Sequence, residues 1–343
     1  TNQFVKATQP VNAANIYRNG VEFGSYTVAP SWQVSDDTPQ RYIYKADADA
    51  QWTRIGVGAA TQIIGMKYLA KGKNAVGADL LWAGNVLRAD ASYGTNVIVS
   101  TTDPTTIATW SGEVTIGDSA APITGLVSDG DTLIILKTDG IWAYYADGSQ
   151  ENLTPDFEAM ADPNNFRGAF NWNGHVLLPL GSSGMMELTE GALYDVSMKL
   201  YAPNDTTLHG KVVAIAGDPT SLFIMVEDIT NLKMHILMAQ WKELGGGRDY
   251  RWHHMGSITY TTGDTPLHSA LLGEGVPSGS IVHHRIWAGV ESTGSSLLPY
   301  YLPLDTDSNA GFTNDTDAVA QLPKYDAGRA QVNKTFASVD FET

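Results

Sequence analysis

Short apolar runs, each closed by glycine, aspartate or asparagine, recur along the chain, and the clearest is ITGLVSDGDTLIILKTDGIWAYY, Ile123 to Tyr145. It predicts three strands: Ile123 to Val127, Thr132 to Leu136 and Ile141 to Tyr145. The turns fall at Asp129-Gly130 and Asp139-Gly140, where glycine accepts the positive φ of a tight antiparallel connection. Such a meander hides one face only, so it needs further copies to pack against.

The copies are present. Val21 to Val28 predicts a strand or strand pair, and Tyr42 to Lys45 and Trp52 to Ile55 predict two more. Ile63 to Ala70, Asp79 to Gly84, Val86 to Asp90 and Asn96 to Ser100 make a regular set. Phe166 to Trp172, Val176 to Leu180 and Met185 to Leu188 form another, followed by His209 to Ile215, Leu222 to Glu227 and Met234 to Trp241. Leu267 to Leu272, Ile281 to Val290 and Leu297 to Leu304 close the series. Openings at Ile123, Phe166 and His209 lie about 43 residues apart, within the ~40–50 residues of a four-stranded propeller blade. Leu80-Leu-Trp-Ala-Gly84 echoes Arg285-Ile-Trp-Ala-Gly289, as the same strand of two blades would.

The expected fold is therefore all-β. A β-propeller occupies 1–322, with blades opening near residues 20, 62, 123, 166, 209 and 267. Five or six four-stranded blades are expected, with seven allowed, and a tandem of β-sandwiches is the alternative. Residues 323–343 read as a closing strand or as the start of a further β domain.

Composition agrees. The 343 residues include 34 Gly, 15 Pro, 15 Tyr and 9 Trp with only 17% charged residues, which suits short strands and tight turns. A formal net charge of −16 disfavours nucleic-acid coating and adhesion to anionic membranes. No cysteine is present, which excludes disulfides and thiolate chemistry. No apolar run approaches the roughly 20 residues of a membrane span. The start, TNQFVKATQ, has neither an initiator Met nor a signal-peptide pattern and predicts a processed or partial chain.

Candidate chemistry is sparse. Asp305, Asp307 and Asn309, followed by Gly311 and Asp315, make an oxygen-rich loop that is a weak calcium candidate beside the reading of a solvated linker. Asp36-Asp37 and Asp47-Ala-Asp49 carry the same reading at lower weight. His253-His254 and His283-His284 each offer one ligand per face, because adjacent strand residues point to opposite sides. They read as turn or interface histidines. Ser100-Thr-Thr-Asp103 with Trp110 loosely matches a sialidase aspartate box, which is a fold staple even when intact. Gly245 to Gly247 reads as a hairpin loop rather than a phosphate cradle. Tyr144, Tyr145, Tyr300 and Tyr301 read as packing residues, with sugar stacking as the alternative.

Val97-Ile-Val-Ser100, Thr102-Asp-Pro-Thr-Thr106, Trp110, Ile123-Thr-Gly-Leu126 and Leu136-Lys-Thr-Asp-Gly-Ile-Trp142 follow one another in order, and Lys324 to Gly328 precedes Lys334-Thr-Phe336. This order resembles the propeller region of tailed-bacteriophage virion proteins. The resemblance implies a non-enzymatic structural protein of the tail or neck, no catalytic residues and no cofactor. It implies other virion proteins, copies of itself and a host-surface glycan as partners. A carbohydrate- or receptor-binding propeller is the first alternative, and a propeller glycoside hydrolase the second.

Overall fold

In the computed structural model, the described residues are 15–17, 20–33, 38–39, 41–46, 51–181, 184–189, 191–196, 211–244, 247–275, 283–291 and 297–303. They belong to a unit spanning Thr1–Asp305, and the unit Thr306–Thr343 lies outside them. Five four-stranded antiparallel sheets follow one another as the blades of a β-propeller. The strand runs fold as sheets because they are rich in β-branched and aromatic residues and end at Gly, Asn or Asp.

Blade I pairs Val21–Phe23, Tyr26–Ala29, Ile43–Ala46 and Thr53–Arg54. Blade II pairs Ile63–Lys73, Asp79–Arg88, Tyr93–Thr101 and Val114–Thr115. Blade III holds the central meander as Ile123–Asp129, Thr132–Lys137 and Gly140–Tyr144, with Gln150–Asn152 outermost. Blade IV consists of Phe170–Trp172, His175–Pro179, Met185–Thr189 and Ala192–Asp195. Blade V consists of Lys211–Gly217, Leu222–Asp228, Lys233–Leu244 and Gly247–Thr259. Two three-stranded sheets accompany them, one of Asn15–Tyr17, Ser31–Gln33 and Thr38–Pro39, the other of Thr265–Gly275, His283–Glu291 and Leu297–Pro303. The echoed Trp-Ala-Gly segments occupy the second strand of their respective sheets, as expected.

Three expectations shift in detail. The hairpin turns of blade III are Gly130-Asp131, between paired Asp129 and Thr132, and Thr138-Asp139, between paired Lys137 and Gly140. Gly130 takes the left-handed φ of 58°. Gly140 is demanded instead by crowding, since a Cβ there would stand 3.0 Å from Thr154 Oγ1. Asp79 to Gly84 and Val86 to Asp90 are one strand, not two, because Asn85 absorbs a φ of 55° and its side-chain amide bonds the Ile123 carbonyl of the next blade. Phe166 opens no strand: it is buried in a turn at φ 63°, and the strand begins at Phe170.

The core is a series of seams between sheets. Ala70, Trp82, Ile98 and Ile116 of blade II or its flank meet Ile123, Leu126, Leu133 and Ile135 of blade III. Val127, Ile134, Leu136 and Ile141 of blade III face Val176, Leu178 and Leu188 of blade IV. Trp172, Leu177 and Met185 of blade IV face Val212, Leu222, Ile224 and Leu237 of blade V. Blade V in turn packs Phe223, Met225 and Ile236 against Ile286, Ala288 and Val290. Alternate side chains along one strand therefore feed two different seams, which is why these strands read as continuous apolar runs.

Acidic residues tie the turns. Asp90 accepts from Ser92 N at 2.9 Å and Ser92 Oγ at 2.6 Å, and Asp147 accepts from Ser149 N and Oγ at the same two distances. These side-chain bonds, reinforced by the backbone bonds, hold both carboxyls below their ordinary 3.8. Depressed carboxyls stabilise the fold above their unfolded pKa and lose that contribution as pH falls through the folded value. Denaturant midpoints should thus drop below pH 4, and the Ser92→Ala, Ser149→Ala double variant should show a shallower acid loss. In the seam between blades II and III, Ile135→Ala, at a fully buried site, should cost about 2–5 kcal/mol in urea unfolding.

Candidate functional site

On blade II a cleft of about 490 Å³ is lined by Thr61 to Ile63, Arg88, Ile107, Ala108 and Trp110 to Glu113. Its parts are fixed from below. Trp110 follows the 3₁₀ turn Ile107–Thr109 and donates its indole N–H to Tyr42 Oη at 3.1 Å. Tyr42 Oη in turn donates to the Pro104 carbonyl at 2.9 Å, and its ring meets Trp110 edge-on, centroids 5.8 Å apart. Burial drives the Tyr42 phenol above its usual value of 10.0, so it remains a neutral donor. The indole is thus anchored at its buried edge while the ring stays part-exposed at the cleft.

The same lining holds a two-point ion pair. Arg88 donates Nε to Glu113 Oε1, and a terminal nitrogen to Glu113 Oε2 at 2.6 Å. Its other terminal nitrogen donates to Ser92 Oγ at 3.0 Å. The Glu113 bond holds the Arg88 pKa above its usual value, with the Glu113 and Asp90 charges adding to it. Gln62 completes the floor by accepting the Ala59 amide at 2.7 Å, which leaves its NH₂ as a donor. Gly58 permits that fold-back, since a Cβ there would fall 1.9 Å from Gln62 Oε1.

A second polar group lies in the seam between blades IV and V. Glu187, fully buried, accepts from Tyr250 Oη at 2.7 Å and Thr189 Oγ1 at 2.7 Å, and pairs with His175 Nδ1 at 2.8 Å. Burial pushes its carboxyl up, and the bonds from Tyr250, Thr189 and His175 outweigh that, so the net displacement is downward. This cluster is a staple between two sheets. Blade III has its counterpart in Lys137, fully buried, which donates to the Asp118 carbonyl at 2.8 Å and lies 5.9 Å from the Trp142 ring centroid. Burial lowers the Lys137 pKa.

The sequence candidates distribute unevenly over these sites. Trp110 lines the cleft, while Asp103 closes the turn beneath it by accepting Thr105 N at 2.9 Å and Thr105 Oγ1 at 2.6 Å. Asp305, Asp307, Asn309, Asp36, Asp37, Asp47 and Asp49 lie outside the described residues. Among the described residues, no group of three or more His, Asp or Glu side chains is placed to hold a metal ion. His254 reaches His235, and His283 and His284 begin a strand. Gly247 pairs opposite Leu244 in the hairpin expected there. Tyr144 packs edge-on against Trp82 at 5.2 Å, Tyr145 donates to Glu151, and Tyr300 packs into a seam. Gln62, Arg88 and Glu113 were invisible in sequence, because strand pairing alone unites residues so far apart in the chain.

No family model matches the chain, and no curated protein does. Solved structures do. A subtype N10 neuraminidase-like protein of a little yellow-shouldered bat isolate is 8% identical, with 85% of this chain and 96% of that one covered and a TM-score of 0.45. A GH43_12 retrieved from capybara gut metagenome is 12% identical over 90% of this chain and 56% of its own, at a TM-score of 0.39. A thermostable family-43 glycoside hydrolase is 10% identical over 88% of this chain and 94% of its own, at 0.38. Such likenesses speak to the fold alone. The expectations of a virion structural protein and of a non-enzymatic chain find no counterpart among them: the structures named are glycoside hydrolases and a neuraminidase-like protein, not tail or neck proteins. The reason lies in the motifs: Thr102 to Thr106, Ile123 to Leu126 and Leu136 to Trp142 are turns and strands of the propeller itself, so they mark the fold and not its use.

Removing one tie from the buried staple tests its strength. Tyr250→Phe leaves Glu187 short of one donor and should lower unfolding free energy by about 1.5–3 kcal/mol, read from urea melts.

Proposed function

We propose that the chain is a carbohydrate-active propeller of the glycoside hydrolase class, with the blade II cleft receiving the saccharide. One observation carries this reading: an anchored, part-exposed Trp110 and the Arg88–Glu113 pair line one and the same concavity. Sugar rings present an apolar C–H face and a rim of hydroxyls. An aromatic ring takes the first, and fixed polar groups such as Glu113, Ser111 and the Gln62 amide take the second. Hydrolysis requires two carboxyl groups about the scissile bond. Glu113 stands in the cleft, and Asp90 acts on the same Arg88.

The test joins binding and turnover. The purified chain is titrated calorimetrically with neutral and acidic oligosaccharides, and the same panel is followed for released reducing ends. Trp110→Ala should weaken binding about tenfold, Trp110→Phe should retain most of it, and Glu113→Gln should abolish hydrolysis while circular dichroism stays unchanged. Binding without hydrolysis overturns the enzymatic reading. No binding to any saccharide, or full binding by Trp110→Ala, overturns the cleft.

A further inference from the structure

Two histidines that the cleft does not use meet on blade V. Lys233–Leu244 and Gly247–Thr259 pair with Ile236 opposite Gly256 and then Leu237 opposite His254, so Met255 is an extra residue in the second strand. Side chains alternate between faces along a strand. In unbroken pairing His254 would fall on the face opposite His235, and the bulge at Met255 turns it onto the same face. The result is His235 Nδ1 3.0 Å from His254 Nε2. On the far side of the His235 ring, Nε2 lies 3.7 Å from Asp228 Oδ2 and, among the described residues, is buried with no hydrogen-bond partner. Asp228 is itself held by the Thr230 and Asn231 amides at 3.1 and 3.0 Å and by Asn231 Nδ2 at 2.7 Å.

We propose that His235 Nδ1 and His254 Nε2 together bind one divalent transition-metal ion, zinc, nickel or copper, with Asp228 orienting His235 from behind. Two imidazole nitrogens this close suit a shared ion at bonds of about 2.0–2.1 Å. Each neutral ring keeps its proton on the nitrogen facing away from the ion: His235 on Nε2, toward Asp228, and His254 on Nδ1. The Asp228 carboxylate lies behind the ring at 3.7 Å, without a hydrogen bond, and its charge favours the tautomer with the proton on Nε2. With two protein ligands the remaining positions fall to water, so the ion is exchangeable. His254 is exposed and gives it an entry path. His235 is 8% exposed and supplies the rigid half.

Zinc, nickel and copper(II) chlorides are titrated separately into the full folded chain by calorimetry, with thermal melts alongside. One ion per chain is expected, copper(II) binding tightest. His254→Ala should weaken binding at least tenfold and cancel the metal-induced rise in Tm. His253→Ala, altered on the opposite face, should change neither. Asp228→Asn should raise Kd by about 10–100-fold. Absence of one-to-one binding by the unaltered chain, or an unchanged Kd in His254→Ala, overturns the proposal. Because His254 lies at the surface, its variant keeps the fold, and the melt without metal verifies this.

Discussion

A sheet with two apolar faces is insoluble alone and stable only between two others, and this constraint governs the molecule. Four seams run in succession from blade II to the sheet after blade V, each built from residues of consecutive sheets. A fifth joins blade I to blade II through Phe23, Val28 and Tyr42 against Met66, Leu81 and Val99. The first strand of each of these sheets also packs against the first strand of the next, which places the opening strands innermost. Burial of apolar area at about 25 cal/mol per Å² drives the stacking, and pleated alternation decides which seam each side chain serves.

Polar side chains inside such seams cost free energy unless fully paired. Glu187 meets that condition with two partners from its own blade, His175 and Thr189, and one phenol from the next. Asn85 and Asn171 do the same on a smaller scale by reaching backbone carbonyls of an adjoining blade, Ile123 and Ser128 respectively. These bonds carry direction where apolar contact does not. They fix how far one sheet slides along another, and the cleft depends on that register because Tyr42 of blade I anchors Trp110 of blade II.

The fold was legible because its information is local. Alternation, Asp-Gly and Asn-Gly turns and a 43-residue spacing are all properties of neighbouring letters. Errors came where a single residue did two jobs. Asn85 looked like a turn yet sits inside a strand, and Phe166 looked like a strand residue yet sits in a turn, each through a left-handed φ that sequence does not display. The fourth strand of blade II, Val114–Thr115, is too short to leave a pattern. The cleft was almost wholly illegible. Arg88 and Glu113 are 25 residues apart with a strand and a 3₁₀ turn between them, and neither residue type is unusual there. Trp110 was visible, as part of a motif that marks a turn. The His235–His254 contact depended on one extra residue in a strand, which no periodicity reveals.

The seam arrangement also sets how the molecule comes apart. Among the described residues the seams join consecutive sheets, so a disturbance in one seam reaches the rest through a chain of adjacent joints. Opening is then sequential, like the staves of a cask once a hoop slips, and the least adhesive joint sets the lifetime of the whole.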